Sequence, residues 1–133
     1  MTVAIDFSRC ILRFPAPWLV WVALLMTANM VGSLFYIVTP EAQFTLGAMM
    51  LGAMIQMTMY GRLGFVRLLG VGHAPWLLLV PWLWLRLDAA PADGMFRNWI
   101  LAVMVLNSLS LLIDITDVVR YLKGDRAPLI ALP

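Results

Sequence analysis

"WLVWVALLMTANMVGSLFYIV", residues 18–38, carries no charged side chain. A helix needs about 20 mostly apolar residues to cross the roughly 30 Å hydrocarbon core of a bilayer, so this run reads as a transmembrane helix. Three more stretches qualify: 42–60, uncharged from Phe44 onward; 68–86, between Arg67 and Arg86; and 97–119, between Arg97 and Arg120. Of the 133 residues 63% are hydrophobic and 12% charged, far from the balance of a soluble domain. The expectation is an all-α membrane protein, one integral domain over residues 1–133, folded as an antiparallel bundle of four transmembrane helices.

The first two spans are joined by "VTPEA", so short that they form a tight hairpin. Thr39 suits the N-cap of the second helix, Pro40 its first position, and Glu41 the positive end of its dipole. Positive residues are retained on the cytoplasmic side. With both termini inside, Arg9, Arg13, Arg62, Arg67, Arg120, Lys123 and Arg126 are cytoplasmic, and only Arg86 and Arg97 lie outside. The tryptophans agree: Trp18, Trp21 and Trp76 fall near the inner interface, and Trp82, Trp84 and Trp99 near the outer one. Gly61 to Gly72 then forms the cytoplasmic connection between the second and third spans, with His73 at the entrance of the third helix.

Ahead of the first span, Asp6, Arg9 and Arg13 recur at i, i+3 and i+7, with Val3, Phe7, Cys10, Ile11 and Phe14 opposite them. This predicts a short amphipathic helix lying in the inner interface, ended by Pro15 and Pro17. The apolar run behind it is too long for a secretory signal and lacks a small-residue cleavage site, so it reads as a retained span. The tail after Tyr121 is too short and proline-broken for another crossing. One cysteine, Cys10, excludes an intrachain disulfide. A net charge of +2 without a dense basic stretch argues against nucleic acid.

Polar residues at membrane depth are costly unless paired or facing a cavity. In the fourth span Asn107, Ser110, Asp114, Asp117 and Tyr121 follow i, i+3, i+7, i+10 and i+14, one helical stripe. Two readings stay open for its carboxylates. In one, Asp114 is a proton or cation site, with His73, Tyr60, Gln56 and Asp117 in the same inner half; imidazole is the side chain that ordinarily changes charge near neutrality. In the other, Asp114 and Asp117 mark a helix end and pair with Arg120 or a loop arginine. Asn29 and Asn107 both fall near mid-membrane and can hydrogen-bond. Ala28 with Gly32, and Ala48 with Gly52, are small-residue pairs that let helices approach closely. Pro81, inside the third span, predicts a kink.

The second span is dense in methionine. Met50, Met54 and Met57 share a helical face, and thioethers suit Cu(I), although methionine is also adaptable packing. No glycine-rich phosphate loop or nucleophile elbow occurs, and one histidine cannot supply two axial haem ligands. The expectation is a non-enzyme without a cofactor.

"PEAQ" at residues 40–43 and "YGRLGFVRLLGVGHAPW" at residues 60–76 resemble small four-span proteins of bacteria, uncharacterised proteins of the inner membrane. The resemblance implies a multi-pass protein of the bacterial inner (cytoplasmic) membrane, and it implies no activity. On these grounds the chain is expected to be an accessory or assembly subunit, its helices packed against another membrane protein or its own copies within the lipid bilayer. Gly52→Leu would then disrupt assembly, and Asp114→Asn would leave it intact. The alternative is a small proton- or cation-coupled transporter or channel, a homo-oligomer with Asp114 and His73 in its pathway.

Overall fold

The computed structural model of the protein describes residues 2–90 and 94–130, and the chain there is almost wholly helical. Five helices follow in order: α1 (Val3–Leu12), α2 (Ala16–Phe35), α3 (Pro40–Leu63), α4 (Trp76–Arg86) and α5 (Met95–Leu122). Two 3₁₀ segments, Arg67–His73 and Leu87–Ala89, flank α4. Three helical stretches are long and apolar enough to cross a membrane: Ala16–Phe35, Arg67–Ala89 and Met95–Leu122. The 24 residues of α3 extend about 36 Å, but two glutamines, two threonines and three glycines inside it dilute its apolar content, and it is not among those three.

Local signals explain the boundaries. The Thr39 hydroxyl accepts the Ala42 N–H at 3.3 Å and Pro40 fills the first position of α3, as a helix start requires. That helix ends at Gly64, where φ is +75°, a backbone setting that favours glycine. Pro15 caps α2. Pro81 is accommodated within α4, which runs on to Arg86.

The main core lies where α4 meets α5. Leu79, Leu83 and Leu87 pack on Ile100, Val103 and Met104, with Leu25 and Ala28 of α2 and Ala48 of α3 against them. Along α5 the buried residues Ile100, Val103, Met104, Asn107 and Ser110 recur at helical spacing. On its other side Val105, Leu109, Leu112, Ile115 and Val119 are exposed. An outward apolar face on a long helix is what hydrocarbon, rather than water, solvates. A second cluster gathers Cys10, Phe65 and Leu69 with Phe7, Phe14 and Tyr60, and it joins α1 to the end of α3. The tail closes over it: Leu129 donates its backbone N–H to the Phe65 carbonyl at 2.7 Å.

Helix α2 departs from regular geometry over Thr27–Val31, which is π-helical. The Gly32 N–H there bonds the Thr27 carbonyl and not that of Ala28. The freed Ala28 carbonyl accepts the Trp99 indole N–H of α5 at 2.8 Å. Gly32 lies flat against that indole, where any side chain would collide with the ring. One turn away, Asn29 and Asn107 exchange two amide hydrogen bonds of 2.8 Å, and Asn29 also donates to the Leu25 carbonyl at 2.9 Å. Both asparagines are buried. Replacing Asn107 by leucine strands the Asn29 amide, and a loss of about 1–2 kcal/mol is expected. The double variant Asn29→Leu/Asn107→Leu should recover most of it. Unfolding in mixed detergent micelles measures the cycle, and a double-variant loss equal to the sum of the two single losses would remove the pair as a stabilising contact.

One element differs from expectation. Residues 61–72 are more than a connection: α3 continues to Leu63, and the 3₁₀ segment Arg67–His73 is inserted between α3 and α5. Backbone contact makes this possible. A Cβ on Gly52 would run into the Gly72 carbonyl oxygen, and a Cβ on Gly72 would run into the Gln56 side chain. At Gly70 it would sit 3.0 Å from the Asp114 Cβ.

Candidate functional site

Gly52 on α3 and Gly70 and Gly72 on the segment thus let the 3₁₀ backbone come close to two helices, and His73 at its end is carried inward. The His73 imidazole meets Asp114 of α5, Nδ1 to Oδ2, at 2.6 Å. Its other nitrogen, Nε2, lies 3.3 Å from the Gln56 amide nitrogen of α3. That amide nitrogen also donates to the Leu69 carbonyl at 3.2 Å. A carbonyl only accepts, so the Gln56 NH₂ is fixed as the group facing Nε2. With one proton on the ring, Nε2 accepts and the imidazole proton sits on Nδ1, pointing at the Asp114 carboxylate. Adding a proton at Nε2 sets two donors face to face and requires the Gln56 amide to turn over, at the expense of its bond to Leu69.

Trp76 stacks on the imidazole, with ring centres 4.2 Å apart and planes inclined by 5°. Trp76 is buried, and its ring face favours a cationic partner. His73 and Asp114 keep 23% and 15% of their side-chain surface accessible, and that surface opens onto a cavity of about 390 Å³. Phe14 just after α1, Trp18 and Trp21 of α2, Met49 and Met57 of α3, and Phe65 form much of its apolar wall. The charged or titratable side chains lining it are Arg67 and His73 on the 3₁₀ segment and Asp114 and Asp117 on α5; α1, α2 and α3 contribute none. Volume and lining are those of a small-molecule pocket, mostly apolar with a few converging polar groups.

The remaining charges form a separate lattice. Arg67 bonds Asp117 at 2.6 Å and Asp125 at 3.1 Å, and Arg120 bonds Asp125 at 2.7 Å. Two arginines and two aspartates balance there. Asp114 and Asp117, three residues apart on one stripe, consequently have different partners: Asp117 meets a loop arginine and Asp114 the histidine.

The predicted site residues divide accordingly. Gln56, His73 and Asp114 come together. Tyr60 does not join them; its hydroxyl lies 3.7 Å from the Cys10 sulfur, under α1. Asn29 and Asn107 pair with each other. Gly32 and Gly52 are both filled from within the chain, by Trp99 and Gly72, and Ala28 and Ala48 pack on the main core. Of the methionines expected on one face, Met50 and Met54 are exposed whereas Met57 lines the cavity. Among the described residues no three His, Cys, Asp or Glu side chains converge as a metal site. Sequence reasoning missed the Trp76 stack, which His73 three residues earlier on a helical turn could have signalled, and Asp125, whose bond to Arg67 carries no local signal. Comparison with protein families, with curated proteins and with solved structures finds no match to this chain.

Proposed function

We propose that the chain is a four-span protein of the bacterial inner membrane, with both termini cytoplasmic, that moves protons or small cations by way of the His73–Asp114 pair. In this reading α3 is the fourth crossing, alongside the three more apolar stretches, and the helices form an antiparallel bundle. The observation that carries the proposal is the 2.6 Å contact of an imidazole and a carboxylate on the wall of a cavity. Ionisable groups at membrane depth mark ion and proton pathways unless they are absorbed in structural pairs. Arg67, Asp117, Asp125 and Arg120 are so absorbed, and His73–Asp114 faces open space. Gly32 and Gly52, two of the small residues that suggest assembly with a partner, meet Trp99 and Gly72 inside the chain.

The test is proton flux into liposomes holding the purified protein, driven by an imposed potential and read with a trapped pH dye. Asp114→Asn should reduce the flux by about tenfold or more, the usual scale for losing a proton-transfer group. Asp88→Asn, an exposed aspartate in the Leu87–Ala89 turn, should leave it unchanged. Equal flux in wild type and Asp114→Asn would overturn the proposal.

A further inference from the structure

We infer that the cavity binds one lipophilic organic cation, and that this cation and a proton on the His73–Asp114 pair exclude each other. The inference rests on the proton-handling reading above and names what would exchange with the proton. Charge is the first argument. Of the charged groups lining the cavity, Arg67 is cancelled by Asp117 at 2.6 Å and held by Asp125 from outside it. Asp114 has no such partner: among the described residues its ion-pair contact is the imidazole alone. With a single proton on that imidazole the site carries one uncompensated negative charge in a low-dielectric wall. A single positive charge completes it, either a proton on the pair or a cationic ligand.

The second argument is the remaining lining. Phe14, Trp18, Trp21 and Phe65 offer aromatic surface to an apolar cation, and aromatic faces attract quaternary ammonium groups better than neutral ones. The volume of about 390 Å³ accommodates an aromatic ammonium ion, far more than a bare metal ion needs. A neutral apolar ligand would leave the Asp114 charge uncompensated, and an anion would add to it.

The experiment compares benzyltrimethylammonium, a permanent cation, with neopentylbenzene, the same shape with carbon in place of nitrogen. Binding to the full-length protein in detergent is followed by tryptophan fluorescence and calorimetry. The cation is expected to bind at least about tenfold more tightly than its neutral counterpart near pH 8, and to weaken by about tenfold or more as the pair takes up a proton on the way to pH 5. Asp114→Asn should abolish the preference for the cation. His73→Gln, which keeps the carboxylate, should retain the preference and flatten the pH dependence, and it serves if the aspartate variant does not fold. Equal binding of the two compounds, binding of neither, or a cation preference that persists in Asp114→Asn would overturn the inference. Flux without cation binding would overturn it while leaving proton movement standing. Cation binding that weakens with acid, in a protein without flux, would uphold it and remove the translocation reading.

Discussion

Replacing Gly52 by leucine is expected to destabilise the fold of the chain itself, not to separate folded subunits. A Cβ at this position already meets the carbonyl oxygen of Gly72, and a backbone carbonyl cannot rotate aside as a side-chain end can. The 3₁₀ segment must move outward, taking His73 with it. Overpacking of a tight core costs about 1–3 kcal/mol for a few added carbons, and a backbone clash belongs at the top of that range. For a chain of this size about 3 kcal/mol lowers the melting temperature by roughly 10 °C. Circular dichroism in detergent reads the melt, and fluorescence-detected gel filtration reads the fraction of folded monomer. Gly52→Ala should lie between Gly52→Leu and wild type. A Gly52→Leu protein that melts like wild type would mean the contact with Gly72 is absent.

The second large effect is expected at the opposite end of the helices. Arg86 donates its Nε–H to Glu41 at 2.7 Å and covers the Trp82 ring at 5.2 Å. The Glu41 side chain is 7% exposed and that of Arg86 38% exposed. Substituting Arg86 by leucine leaves a buried carboxylate without its counter-charge. Stranding one partner of a buried ion pair costs about 3–5 kcal/mol, and the partly exposed arginine end puts this case at about 3 kcal/mol. Adding Glu41→Gln to Arg86→Leu removes the stranded charge, and the double variant should regain more than half of the lost stability. Equal melting temperatures for Arg86→Leu and the double variant would show that the stranded Glu41 carboxylate carries no cost.

Much of this architecture is legible in one dimension because a bilayer imposes simple demands. Charge-free runs near 20 residues, the Thr39-Pro40-Glu41 start, the prolines behind α1 and the stripe on α5 are all local patterns, and each reappears as a helix, a cap or a buried face. The asparagine pair was also within reach, since two amides at similar depth on facing helices have few other partners. His73 and Asp114 were readable as candidates but not as neighbours: they stand 41 positions apart, and their depths rested on where the third helix was taken to begin.

That beginning is where one-dimensional reasoning stopped. The glycines of "GRLGFVRLLGVGH" read as part of a connection between two spans, yet Gly70 and Gly72 serve close backbone approach to α5 and α3, a property of the surfaces they meet. The division of labour between Asp114 and Asp117 has the same origin, because it depends on which face of the inserted segment presents Arg67 and which presents His73. Hydropathy, and helix placement and helix starts apart from that of the third span, follow from each segment's own residues and the solvent around it, so the sequence by itself determined them. The pairing of carboxylates with their cations, the contact of the imidazole with Asp114 and the cavity it lines depend on the fit of one segment against two others, and only the tertiary structure decided them.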